Sequence, residues 1–319
     1  MRQLPDVQKK KDGFPHMYIE KVGVENIKVQ LPINTWNENV QYVFANMKSY
    51  CSLIDDVKGI NMSRIGQTIF RVIEEEKEGG FKDLEKFAYE LWNVHGNETE
   101  LVYVSAEFDY LLDQKTPITK LYSPKVVKVG MATEYNGTEM HNYLTVKSTE
   151  MSLCPCSKEM SLIKNILDDD ECMELNRLSN GVREKVLMSG YGAHNQKSEI
   201  TITIEISNIM NFTIEKLASI IAACASAPTY STLKRPDEKW VTEVSYLGGY
   251  WNEGTFIEVG GGPKFVEDIV RTIGVEMNRY LDNDIKDYLI YIKNYESIHS
   301  ENIVASAIMS AGRYLKKML

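Results

Sequence analysis

Glu199-Ile-Thr-Ile-Thr-Ile-Glu-Ile-Ser207 alternates apolar and polar residues without a break, the period of an antiparallel strand with one face buried and one face open. Such a strand needs hydrogen-bonding neighbours on its edges and a layer over Ile200, Ile202, Ile204 and Ile206, so helices with one apolar face are expected beside it. Downstream, Thr213 is placed to cap a helix presenting Ile214, Leu217, Ile220, Ile221 and Cys224, which stops before Pro228. Another helix is expected from Pro263, a favourable first-turn residue, with Phe265, Ile269, Ile273 and Met277 inward, and Tyr288–Lys293 reads as a closing strand. Upstream, Leu101–Phe108, Lys125–Met131 and Asn142–Thr149 read as strands, Leu84–Trp92 as a helix, and the stretch near Ile27–Ile33 as extended. Ser63 is expected to N-cap a helix whose Ile65, Ile69, Phe70 and Ile73 share a face. The fold class is therefore α+β with antiparallel sheets, and the order strand-rich then helical occurs twice.

The chain of 319 residues leaves room for about two domains. With 43% hydrophobic and 25% charged residues it is excluded from the disordered, collagenous and coiled-coil classes. No run reaches the roughly 18 apolar residues of a membrane span, and Lys9-Lys10-Lys11 stands where a signal peptide would be apolar, which predicts a cytoplasmic protein. A net charge of −9 argues against sequence-independent binding to nucleic acid and leaves small anions as partners. The five cysteines are an odd number, and Cys154 and Cys156, separated by Pro155 alone, are too close for a comfortable mutual disulfide; reduced thiols and a metal role fit better.

Four short segments gather polar and soft ligands: Cys154–Glu159 (CPCSKE), Gly192–Ser198 (GAHNQKS), Lys234–Lys239 (KRPDEK) and Glu296–His299 (ESIH). Taken singly, a Cys-Pro-Cys is often a turn with two buried thiols, a lone histidine a hydrogen-bonded structural residue, and KRPDEK a solvated loop. Taken together, one Cys, one His and one Glu make a set that accepts Zn²⁺, Fe²⁺ or a related ion, with a position left open for water. Lys158, Lys197, Lys234 and Arg235 are placed to hold phosphate, which points to a nucleotide.

CPCSKEMS, GAHNQKS, TLKRPDEKWVTE, PKFVED and ESIH, in this order, resemble the motif set of GTP cyclohydrolase type IB; LPDVQ near the N-terminus and KGINMSR at Lys58–Arg64 resemble its first-half motifs. The resemblance implies a tunnelling fold of two tandem modules, residues 1–150 and 151–319, each an antiparallel sheet with helices on one side, assembled as a homotetramer with active sites at subunit interfaces. It implies that GTP is opened at C8 to give formate and 7,8-dihydroneopterin triphosphate, a product that serves both folate and 7-deazaguanine (queuosine) synthesis. An archaeal-type variant ending in a 2′,3′-cyclic phosphate, and a tunnelling-fold binder of a purine or pterin without turnover, are the alternatives. Carried over residue by residue, it implies that Cys154, His194 and Glu238 ligate one divalent metal (Zn, Fe(II) or Mn), that Cys156 and His299 transfer protons, and that Glu267 anchors guanine. Lys234, Arg235, Lys158 and Lys197 fall to the triphosphate.

The chain departs from that pattern at four places. His194 stands 40 positions after Cys154 because Leu162–Ser189, carrying Asp168-Asp169-Asp170, is inserted and expected outside the core. Gly248–Gly262 is a second insertion, Asn61 replaces a usual histidine, and Ser300-Glu301 follows His299 where a second histidine is common. Insertions in surface loops cost little closure entropy, so the fold is expected to tolerate both.

Overall fold

The computed structural model describes residues 13–35, 39–75, 78–187, 189–209, 212–313 and 315; the LPDVQ motif lies outside them. Along the chain run β1 (Ile19–Asn34), β2 (Val40–Leu53), α1 (Met62–Glu75), α2 (Phe81–His95), β3 (Val102–Leu112), β4 (Lys125–Tyr135) and β5 (Met140–Leu153). There follow α3 (Pro155–Met160), α4 (Asp169–Leu175), α5 (Asn180–Leu187), β6 (Asn195–Ile206), α6 (Ile214–Cys224) and α7 (Arg235–Leu247). The short hairpin β7 (Gly249–Asn252) and β8 (Thr255–Glu258), α8 (Val266–Asn278), β9 (Ile285–Tyr295) and β10 (Val304–Ser310) complete it.

One antiparallel sheet carries eight strands in the order β1-β2-β3-β4-β5-β6-β9-β10. Two hairpins separated by helices therefore occur once in β1–β4 and again in β5–β10, and the two sets meet where β4 pairs with β5, from Lys128↔Lys147 to Tyr135↔Met140. Position 150 lies inside β5. α1 and α2 cover the first set and α6 and α8 the second, all on one face, so a single apolar core runs the width of the sheet from Leu31 and Val43 to Ile290 and Ile292.

The expected helices form, and α1 and α8 each depart from expectation in where the helix starts and in one residue expected inward. Thr213 Oγ1 accepts from Lys216 N at 3.2 Å, capping α6, and all five of its inward residues are buried. Phe70, expected inward, is 56% exposed: α1 buries Ile65, Thr68, Ile69 and Val72, and residue 70 falls about 100° round the helix from residue 69. The helix also starts at Met62, one residue ahead of Ser63, so Asn61 precedes it and Ser63 sits in its first turn. α8 starts at Val266, so Pro263 lies three residues ahead of the helix rather than in its first turn, and Phe265, also expected inward, stands in the cap position and is 42% exposed, while Ile269, Ile273 and Met277 are buried as the spacing predicts.

β6 alternates as its sequence does, with Ile200, Ile202 and Ile204 fully buried under the helices. Among the described residues no helix lies on the far face of the sheet, which forms a concavity of 970 Å³ lined by Phe44, Tyr103, Thr145 and Thr203. β2 and β10 were not legible in the sequence; β2 places Tyr42 and Phe44 on its open face, so both faces of the strand look apolar and the alternation is blurred. Leu162, the first residue of the insertion, is buried at its base, no described residue from 163 to 189 is buried, and the second insertion folds as the β7–β8 hairpin. Among the described residues no helix is long and apolar enough to cross a membrane.

Candidate active site

The ladder between β5 and β6 ends at the pair Leu153↔Asn195. One residue beyond it on each strand stand Cys154 and His194, and Cys154 N donates to His194 O at 3.2 Å. Antiparallel pairing thus sets side by side two residues that the sequence separates by the whole of the first insertion. Cys154 caps α3, its Sγ accepting from Ser157 N at 3.4 Å with Pro155 at the first helical position. Ser157 Oγ accepts in turn from His194 N at 3.4 Å, which ties the two strand ends together. Cys156 is an exposed free thiol on the same short helix.

Two further motifs reach this end of the sheet through the backbone. Lys264 N donates to Leu153 O at 3.1 Å and Ser152 Oγ donates to Lys264 O at 3.2 Å, which seats the PKFVED segment beside Cys154. Lys264 Nζ also donates to the carbonyls of Cys224 and Ala225 at 2.8 and 3.1 Å, clamping the end of α6 to the start of α8; burial lowers its ammonium pKa. Glu267 is exposed in the first turn of α8. From β9, Glu296 meets Gln196 Nε2 at 3.5 Å, and His299 is exposed in the turn that follows.

KRPDEK is not a free loop: Lys234 caps α7, and Asp237, which sequence reasoning passed over, is fully buried in its first turn. Asp237 Oδ1 accepts from Ile118 N and Thr119 N, both at 2.9 Å, and Oδ2 accepts from Thr119 Oγ1 at 2.5 Å and Lys234 N at 3.3 Å. Burial by itself would raise the carboxyl pKa, but these bonds to the charged form hold it well below the usual range. Asp237 therefore locks α7 to the β3–β4 loop and orients the exposed Lys234, Arg235 and Glu238 around it. Lys158 is half-buried with its ammonium 5.0 Å from the Tyr246 ring centroid, and burial lowers its pKa; Lys197 is exposed on β6.

The chain by itself brings Cys154 and His194 together and does not close the three-residue set. Among the described residues, no three of His, Cys, Asp and Glu stand close enough to hold a metal. The donor chemistry of the pair still suits a borderline-soft ion: a thiol and an imidazole are carried by residues joined through their backbones, and His194 Nε2 makes no hydrogen bond among the described residues.

An eight-stranded antiparallel sheet built from two hairpin–helices–hairpin sets, with its helices on one face, is a tunnelling fold. The uricase of Arthrobacter globiformis shares it with a TM-score of 0.51 at 7% identity, over 92% of this chain and 93% of that one. The profile described as type I GTP cyclohydrolase folE2 matches residues 4–305. GTP cyclohydrolase FolE2 of Caldicellulosiruptor bescii is 31% identical over 300 residues, 94% of this chain and 96% of its own. That of Dictyoglomus turgidum is 30% identical over 302 residues, 95% and 96%. The chain belongs to the type I GTP cyclohydrolase FolE2 family.

Proposed function

We propose that the protein is a GTP cyclohydrolase that opens the imidazole ring of GTP at C8, releases that carbon as formate, and yields 7,8-dihydroneopterin triphosphate. The observation that carries this reading is the meeting of Cys154 and His194 just beyond the last rung of β5–β6, with the PKFVED and ESIH segments fastened to the same end. Cys154, His194 and Glu238 are the residues that would hold one divalent ion. When bound, Zn²⁺, Fe²⁺ or Mn²⁺ would supply Lewis acidity that makes water nucleophilic near neutral pH.

The remaining residues bind and move protons. The Glu267 carboxylate accepts from guanine N1–H and from the exocyclic amine, the two adjacent donors that distinguish guanine among common purines. Lys158, Lys197, Lys234 and Arg235 take the triphosphate, whose negative charge stabilises the ammonium of Lys158 against its burial. The Cys156 thiol and the His299 imidazole, both exposed, give and take the protons that the ring nitrogens need as the C8 bonds break. The uncovered face of the sheet supports a homotetramer in which other copies complete the active sites, and the composition supports a cytoplasmic location.

Incubation of the purified protein with GTP and each metal, with formate quantified and the pterin product identified by mass spectrometry, tests the reading. Formate with a linear triphosphate product is expected. A 2′,3′-cyclic phosphate would redirect it to the archaeal-type product, and saturable GTP binding without formate would overturn it.

A further inference from the structure

Behind His194 lies a buried polar network that no part of the mechanism above uses. Gln196 follows two residues later on β6, hence on the same face, and is 8% exposed. Its Oε1 stands 3.2 Å from His194 Nδ1, and its Nε2 stands 3.5 Å from both Ser152 Oγ and Glu296 Oε1. Ser152 Oγ spends its single proton on Lys264 O at 3.2 Å and accepts from Asn294 Nδ2 at 3.1 Å. Asn294 is held in turn by Ser198 Oγ, which donates to its Oδ1 at 2.6 Å.

The polarity of these bonds runs in one direction. A carboxylate only accepts, and a hydroxyl whose proton is committed elsewhere presents lone pairs, so both neighbours on the far side of Gln196 require its NH₂. The amide oxygen must then face His194, and an amide oxygen cannot donate. His194 Nδ1 must therefore carry the proton, and Nε2 keeps its lone pair.

We infer that Gln196, oriented by Glu296 and Ser152, is a positioning residue that fixes His194 as the Nδ1–H tautomer and aims Nε2 as the ligand atom. The opposite tautomer, Nε2–H, is the one free histidine favours, so without this network the lone pair would sit on the wrong nitrogen much of the time. The tautomer follows from the hydrogen bonds alone; its consequence for a metal rests on the proposed function. Partners of this kind typically change metal affinity by about 10–100-fold when removed.

The test uses metal-free full-length protein labelled with ¹⁵N-histidine, at a pH where the ring is neutral, with solid-state ¹⁵N spectra assigned by the loss of signal in His194→Asn. Wild type is expected to show Nδ1–H at His194 and Gln196→Leu to shift toward Nε2–H. The exchange of Gln196→Glu together with Glu296→Gln, which keeps an acceptor facing His194 and lets the new amide at position 296 donate to the carboxylate at position 196, is expected to restore Nδ1–H. Chelator competition should find zinc bound about 10–100-fold more weakly by Gln196→Leu and close to wild type by the exchange variant. A wild-type His194 in the Nε2–H form overturns the inference without any variant, as does an unchanged tautomer in Gln196→Leu. Equal zinc affinity in Gln196→Leu and wild type overturns the positioning role. Wild-type protein that shows Nδ1–H and binds no metal would uphold the tautomer and overturn the proposed metal site instead.

Discussion

The two halves of the sheet each open with a hairpin, and the two hairpins are closed in opposite ways. β1 and β2 end at Asn34↔Val40 and are joined by residues 35–39, with Thr35 N and Oγ1 both donating to Asn39 O at 2.8 and 2.9 Å. β5 and β6 end at Leu153↔Asn195 and are joined by residues 154–194, a connection that carries α3, α4 and α5. The long excursion is pinched at its base by Leu162 pairing with Gly190, by Ile163 N donating to Ser189 O at 3.1 Å and by Tyr191 N donating to Ser161 O at 3.1 Å. Strand register, rather than loop length, determines which two residues flank a hairpin's mouth, and in the second half those residues are a cysteine and a histidine.

The sharpest way to break this comparison is to substitute at both mouths. Cys154→Ala and His194→Ala are expected to lower formate release by at least roughly 10²–10³-fold, the scale on which a single preorganised electrostatic group acts, with unchanged circular dichroism. Thr35→Ala in the first hairpin is expected to leave turnover near wild type; an equal loss there would mean that the two mouths do not differ as described. Next in size is the contrast between ladder and excursion. Ile202→Ala, fully buried in β6, should cost about 2–5 kcal/mol in urea unfolding, whereas Met173→Ala, 61% exposed in α4, should stay within about 0.5 kcal/mol.

A pH experiment asks whether the first half is only scaffold. His95 at the end of α2 is buried, neither ring nitrogen finds a partner among the described residues, and burial, aided by the nearby Arg64, pushes its pKa down to about 4. An unfolded histidine titrates near 6.5, so from about pH 6.5 down to about 4 the unfolded chain binds the extra proton and the folded one resists it. Stability from this group is complete above that window and is lost on acidification through it. The melting temperature of wild type should therefore fall more between pH 7 and 5 than that of His95→Phe, and parallel curves would assign the acid sensitivity elsewhere. The smallest effect is expected from replacing Asp168–Lys185 by a short Gly-Ser linker: a stability change below about 1 kcal/mol, with formate release retained. A cooperative loss of folding would show that the excursion supports the rung after all.

What the sequence revealed follows from how local each signal is. β6 is readable because Ile200, Ile202, Ile204 and Ile206 lie on a period of two, and the insertion because it stretches the spacing from Cys154 to His194 and carries Asp168-Asp169-Asp170. Phe70 and Phe265 are apolar yet exposed, because angular position on α1 and the starting residue of α8, rather than hydrophobicity, determine which side chains face the core. Asp237 was hidden among the charges of KRPDEK, since its role depends on Ile118 and Thr119 on a distant loop. Gln196 could have been singled out from its place two residues after His194 on a strand, but Ser152, Asn294 and Glu296 reach it only through the folded sheet.

The assignment of Cys154 and His194 to one metal site is tested most directly by bound metal. After anaerobic reconstitution with Zn²⁺, Fe²⁺ or Mn²⁺ and gel filtration, wild-type protein is expected to retain a stoichiometric ion, and Cys154→Ala and His194→Ala to lose it while keeping their far-UV spectra. Undiminished metal in either variant would contradict the assignment of that residue to the site.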